Sequence, residues 1–263
     1  QSFFGSDKFA TLDIRGMGAT ATSNVLVMVD GVRLNTDDLA GPDFSTISLS
    51  QIERVEIVRG GNAVRYGNGA VGGVINLITK RSTRATPQLD VQARRGAFDS
   101  DDYRLHAAAE LGPLALSVDG ADVDSDGYRD NEFIDKQTGA VRLDAFAFDD
   151  ALELSLRASH HEDSYGLPGP LSLADFKGSA RDRRRSDRPF DRGSTTDNRY
   201  VAQASWHSDR YGELSATGTY RDRENPYFIA FDPARRAADQ ANQIDIAART
   251  VGVAVHEQPH EVG

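Results

Sequence analysis

The chain has 263 residues, 39% of them hydrophobic, with 40 acidic against 30 basic side chains and no cysteine. A net charge of −10 disfavours a nucleic-acid binder that works by neutralising phosphates, and nucleic acid is not an expected partner. The missing thiols exclude a disulfide framework, a thiolate metal site and a cysteine nucleophile. Apolar runs such as Val25 to Val29 fall far short of the ~20 residues that a membrane helix needs. A β-barrel stays open, because only about every second residue of its strands faces lipid.

The opening residues, QSFFGSDKFATLD, lack the charged, apolar and cleavage regions of a signal peptide. Such a leader has either been removed or lies upstream. Residues 1–82 are rich in glycine and β-branched residues, and they read as a compact mixed-strand piece. Strands are expected over Phe9 to Arg15, Val25 to Val29, Val55 to Val58 and Val74 to Thr79, with one helical turn from Leu49 to Glu53. Asp30-Gly31 is a hairpin signal, since both residues tolerate positive φ. Arg15-Gly16 sets a cation beside a backbone turn. Glu53, Arg54, Glu56 and Arg59 alternate in sign along one segment. They are suited to internal ion pairs in a domain enclosed by polar walls, or they are solvated surface charges.

Gly67, Gly69 and Gly72 spell GxGxxG, but a dinucleotide loop must open a helix, and the VINLIT that follows Gly73 is strand-like. These glycines, with Gly60 and Gly73, are expected at turns and close-packing positions.

From about residue 88 the period becomes two. Leu89, Val91 and Ala93, then Tyr103, Leu105, Ala107, Ala109 and Leu111, alternate with polar residues. The pattern returns in Leu114 to Val118, Val141 to Ala147, Leu152 to Ala158, Tyr200 to Trp206, Leu214 to Tyr220 and around Ile244 to Ala248, about eight strands in all. Short connections at Gly112-Pro113, Asp149-Asp150 and Asp209 to Gly212 alternate with long ones at Asp119 to Thr138, Glu162 to Asn198 and Asp222 to Ala241. Short turns at one end and long loops at the other belong to an outer-membrane barrel, whereas compact soluble domains rarely carry such loops at every second connection. Tyr103, Tyr200, Trp206 and Tyr220 lie near strand ends on the apolar face, as boundary aromatics or as ordinary cross-strand packing.

His160 and His161 are adjacent in a strand, so their side chains leave opposite faces and cannot chelate one metal. No catalytic constellation can be assembled, so neither an enzyme nor a cofactor or metal site is expected. The run KGSARDRRRSDRPFDR (177–192) places Arg183, Arg184 and Arg185 in the longest loop. Their forks suit carboxylate-rich or phosphate-bearing ligands or lipopolysaccharide phosphates, unless the loop is simply solvated. Tyr165, Asn225, Tyr227 and Phe228 offer contacts to a bulky ligand.

TLDIRGMG (11–18), VLVMVDGVRLN (25–35) and ISLSQIERVEIVRGGNAVRYGNGAVGGVINLITKR (47–81) together resemble the TonB-dependent outer-membrane receptors, in the part of the plug domain that precedes the barrel. SYGLPGPLS (164–172) is similar to the third long connection of many such receptors. The resemblance implies a mainly β fold, with an α/β plug fragment over 1–82 and the first strands of a transmembrane β-barrel over 83–263. It also implies that Arg15, Glu53, Glu56 and Arg59 pair with one another and with wall carboxylates. The expected setting is the Gram-negative outer membrane, and the expected partners are its lipid and lipopolysaccharide, the inner-membrane TonB complex and a small-molecule nutrient or metal chelate. That cargo would be siderophore-bound iron, haem, cobalamin or something similar. A plugged barrel of this kind has about 22 strands. The chain is therefore expected to be part of a longer polypeptide, with the TonB-binding segment before Gln1 and an aromatic-ended closing strand after Gly263. The competing expectation is a structural or adhesive β-protein without transport.

Overall fold

The computed structural model describes residues 8, 12–14, 16, 18, 24–35, 41–60, 66, 69–80, 87–208, 212–229 and 242–258. The chain divides into two compact units, Gln1–Lys80 and Arg81–Gly263.

The first unit is built on a four-stranded sheet in the order β2-β1-β4-β3. Strand β1 (Val25–Val29) runs parallel to β4 (Gly73–Thr79) and antiparallel to the short β2 (Val32–Arg33), while β3 (Ile52–Arg59) pairs antiparallel with β4. All five residues of β1 are apolar and buried, the composition a strand needs when both faces are covered. On one face Val25, Val27 and Val29 pack with Leu34, Ile47, Ile75 and Leu77; on the other Leu26 and Met28 pack with Ala70 and Val74. Burying each large aliphatic side chain contributes roughly 1.5–3 kcal/mol.

Asp30 and Gly31, at φ 49° and 81°, close β1 onto β2 as a two-residue hairpin. The Asp30 carboxylate then accepts from the Thr79 backbone N–H (2.9 Å) and from Thr79 Oγ1 (2.6 Å), tying the turn to the end of β4. Beyond β2 the pairing continues through a side chain: Asn35 Oδ1 accepts from Val27 N at 2.7 Å and its Nδ2 donates to Val25 O at 3.1 Å.

Two sequence expectations for this unit are corrected. The helical turn is 3-10 and stops at Gln51, with a second one at Phe44–Thr46, and Ile52 and Glu53 already belong to β3. Leu12, Asp13 and Ile14 form no strand. The Asp13 carboxylate accepts from Gly18 N at 2.9 Å, a local turn that competes with ladder pairing. Residues 9–11 and 15 of that expected strand lie outside the described residues.

The second unit is one antiparallel sheet. Its long strands are β5 (Gln88–Arg95), β6 (Asp101–Leu111), β7 (Leu114–Ser125), β8 (Ile134–Ala147), β9 (Leu152–Gly166), β10 (Arg192–Ser208), β11 (Gly212–Glu224) and β14 (Ala247–Gln258). Each pairs with the next, and two short strands, β12 (Tyr227–Ile229) and β13 (Asn242–Ile244), add to the free end of β10. Two very short helices, α1 (Leu173–Lys177) and α2 (Ala180–Arg184), fill the connection between β9 and β10.

Register lines up the apolar parity of these strands. Val118, Val141, Ala158, Tyr200, Tyr220 and Val251 form one row across six strands, and Leu116, Leu143, Leu156, Ala202, Gly218 and Val253 form the next. The large members of both rows are solvent-exposed. The opposite face carries buried polar groups: His106, Ser117, Arg142, Asp144, Ser155, His161, Asp163, Asp197 and Arg221. A sheet with its apolar side outward and its polar side covered inverts the arrangement of a soluble sandwich.

The strands outrun their alternation. Connections 126–133, 167–191 and 225–246 replace the longer stretches expected from the pattern. Above the row that holds Tyr200 and Tyr220 the outward positions become Gly139, His160, Asn198 and Asp222 while the ladder continues. There the period-two signal fades although the strands do not. The short turns fall at 112–113 and 148–151; residues 209–211 lie outside the described residues, but Ser208 pairs with Gly212.

Candidate functional site

In the first unit, Glu53 and Glu56 share one cation. Arg54 approaches Glu53 at 3.3 Å and Glu56 at 2.9 Å on the exposed face of β3, and Arg59 stands at the far end of β3 opposite Gly73. Arg15 and Gly67 lie outside the described residues. Gly16, Gly60 and Gly69 have positive φ, and Gly72 N–H donates to Asn24 O at 2.8 Å where β4 starts. Sequence reading missed a buried contact here, in which Lys8 Nζ lies 3.9 Å from Asp43 and the same carboxylate caps the first 3-10 turn through Ser45 N at 3.0 Å. Lys8 stands in a weakly patterned stretch, so no periodicity marked it.

On the polar face of the second unit, charge is organised in cross-strand groups. Arg142 holds Asp144 at 2.8–2.9 Å and reaches Glu153 at 3.8 Å. Arg221 Nε donates to both oxygens of Asp197 at 3.0–3.1 Å, and Arg223 lies 3.8 Å from the same carboxylate. Arg199 stands directly across from Arg221, with its Nη2 buried and lacking a hydrogen-bond partner among the described residues. His106 contacts Asp119 at 2.7 Å, and His161 is held between Thr138 Oγ1 and Asp163 at 2.9 Å each. His160 leaves the other face and meets Asn198 at 2.8 Å, so the two histidines part as their spacing requires. The parity of the arginines in β8 to β11 was the available signal for this wall.

The outer connections are built rather than loose. In the β7–β8 connection, Arg129 donates to Gly169 O at 2.6 Å and Arg185 O at 3.0 Å, while Asn131 Nδ2 lies 2.6 Å from Arg188 O and 2.7 Å from Asp191 O. Two side chains thus clamp the 167–191 segment by its own carbonyls. Ser172 and Ser179 cap α1 and α2, and hydrogen bonds from Ser179 hold the Asp182 carboxyl below the usual carboxylate range.

The three consecutive arginines diverge. Arg183 donates to Gly178 O at 2.8 Å, Arg184 lies over the rings of Phe98 and Tyr128 at 5.9 and 5.7 Å, and Arg185 pairs with Asp187 at 3.4 Å. Tyr165 is buried and packs on Gly193, whose partner on the other side is Tyr227, and Arg192 lies 5.1 Å over the Phe228 ring. The structure therefore gathers Tyr165, Tyr227 and Phe228 around the start of β10, and turns Arg184 towards the β5–β6 and β7–β8 connections.

Tyr103, Tyr200, Trp206 and Tyr220 all sit exposed on the apolar face, and the Tyr200 and Tyr220 rings approach to 6.1 Å. An open apolar recess of about 570 Å³, lined by Val141, Leu143, Leu156, Ala158, Tyr200 and Tyr220, lies on that same face.

A compact mixed sheet followed by an antiparallel sheet whose exposed face is apolar and whose other face is polar has the pattern of an outer-membrane β-barrel wall. Residues 1–74 match the family profile described as TonB-dependent Receptor Plug Domain. The vitamin B12 transporter BtuB of Photobacterium profundum is 30% identical over 172 residues, covering 57% of this chain and 27% of that protein. Among solved structures, the ferric yersiniabactin uptake receptor FyuA of Yersinia pestis aligns with a TM-score of 0.72 at 18% identity, over 97% of this chain and 41% of that one. The ferric-catecholate import receptor Fiu of E. coli K12, in its open form, aligns with a TM-score of 0.67 at 18% identity, over 88% and 39%. The chain spans about a quarter of the curated relative's length and about two fifths of these structures. Residues 1–74 thus match the plug domain of the TonB-dependent receptors, and the strands that follow share the fold of the corresponding segments of solved outer-membrane receptors.

Proposed function

We propose that the protein to which this chain belongs imports a scarce nutrient too large or too rare for porins, using energy transduced from the inner membrane through TonB. The observation that carries this reading is the succession of a plug-type sheet and a wall that is apolar outside and polar inside. In this reading the plug ends near residue 82, close to the division between the compact units. The relatives' cargoes are named as vitamin B12, ferric yersiniabactin and ferric catecholates, which sets a range of bulky chelates without selecting one. Arg15, Glu53, Glu56 and Arg59 act in the plug's ion pairs, and Tyr165, Tyr227, Phe228 and the arginines at 183–185 contribute to the outer mouth that meets cargo.

The test is uptake of labelled vitamin B12 and of ferric siderophores by cells whose only receptor is the full-length protein, with and without the TonB complex. Energy-dependent uptake of at least one cargo, abolished by removing TonB while surface binding persists, is expected. Uptake that is absent, or indifferent to TonB, overturns the reading in favour of a structural or adhesive wall.

A further inference from the structure

We propose that the polar face of β9 to β11 holds a multiply charged oxyanion, a carboxylate-rich or phosphate-bearing group, on Arg199. The proposal rests on the transporter reading and narrows its cargo to anionic compounds. Register sets Arg142 directly opposite Arg157 and Arg199 directly opposite Arg221, all on the polar parity, with Arg223 two residues further along β11. Like charges directly opposed across strands destabilise a sheet. Two such pairs side by side are a local cost that the fold keeps.

Asp144 and Glu153 lie in ion-pair reach of Arg142, and Asp197 in reach of Arg221 and Arg223. Above them Lys136 and Asp163 stand opposite one another, so their charges offset. Asp197 already accepts from Arg221 and has Arg223 beside it. Arg199 is left with a buried Nη2 that meets no acceptor among the described residues. Its neighbour across β9 is Ser159, a short side chain. A buried guanidinium nitrogen without an acceptor carries a desolvation cost, which an arriving anion offsets. The planar fork matches a carboxylate or phosphate by two parallel hydrogen bonds, and the excess of Arg199, Arg221 and Arg223 over the one carboxylate of Asp197 favours more than one negative charge on the guest.

Position agrees with cargo rather than with scaffold. Arg199 lies seven residues from Arg192, about 23 Å down β10 from the outer connections. It is level with Tyr200 and Tyr220, where the outward apolar band ends.

The experiment measures equilibrium binding of citrate and of inorganic pyrophosphate to the purified full-length receptor in detergent at two ionic strengths. Saturable binding that weakens with salt, falls at least tenfold in Arg199→Gln and falls less in Arg199→Lys is expected. Absence of saturable binding, or equal affinity in Arg199→Gln, overturns the site. Equal weakening by Arg181→Gln, at an exposed loop arginine, overturns it as well by showing general attraction only. Heat-modified gel mobility checks that each variant is folded. Uptake is scored separately. TonB-dependent uptake without anion binding overturns this site alone, whereas anion binding without TonB-dependent uptake supports the site and overturns the transporter reading.

Discussion

Gly73 and Gly31 look alike in the sequence, each a glycine beside a strand, yet they constrain the plug differently. Gly73 has φ 154°, and a Cβ there would lie 2.8 Å from Val58 O and 2.8 Å from Ile14 Cδ1, whereas a Cβ at Gly31 would meet nothing within 4 Å. Backbone freedom is the whole reason for Gly31, while Gly73 also admits β4 between β1 and β3. Gly73→Ala is therefore expected to destabilise the plug by about 1–3 kcal/mol, the usual cost of overpacking, and to lower its urea midpoint without changing the slope. An unchanged midpoint would show that Ile14 and β3 yield freely. The sequence marked both glycines as turn and packing positions, but it held no trace of which one had a neighbour's backbone against it. Arg129 and Asn131 were hidden in the same way, since the carbonyls they hold lie 36 to 60 residues away and carry no side-chain signature.

At the scale of elements, helix α2 was invisible to periodicity because five residues cannot display an apolar face. Its caps are the readable part. Ser179 Oγ accepts from Asp182 N at 3.3 Å while the Asp182 carboxylate accepts from Ser179 N at 2.8 Å, a reciprocal capping box. The folded Asp182 pKa is depressed by these bonds, so its contribution is present above the unfolded value of about 3.9 and is lost as pH falls through the folded value. Amide exchange in residues 180–184, corrected for intrinsic rates, should thus lose protection below about pH 4. Ser179→Ala should speed exchange about fivefold at neutral pH, the scale expected for losing an N-cap, and should blunt the acid response. Protection that persists unchanged through strongly acidic pH would mean that the Arg129 and Asn131 clamp alone orders the segment. The strands, by contrast, were legible wherever one face is apolar and illegible where both faces are polar. The alternation ended at Ala158 and began again at Tyr200, yet β9 runs on to Gly166 and β10 starts at Arg192.

For the whole molecule, a period of two in the sequence is enough to assign faces, because one slip of register would exchange every inward and outward side chain. Leu143 lies near the middle of the outward band, paired with Leu116 and Leu156, and Gln203 lies on the polar face of β10, paired with Ser155 and Thr217. The same substitution at these two places separates a lipid-facing wall from an ordinary two-layer protein. Leu143→Arg should cost about 2–4 kcal/mol for the receptor assembled in lipid vesicles, read as earlier unfolding in urea, because the cation has no water at that depth. Gln203→Arg should cost less, since the position is half-buried on a polar face with Glu153 diagonal to it across β9. A soluble sandwich predicts the reverse, with the exposed Leu143 position tolerant and the covered Gln203 position sensitive. Equal tolerance at both sites would remove the membrane from the account of this fold, and with it the reason for an apolar exterior that continues in register from β6 to β14.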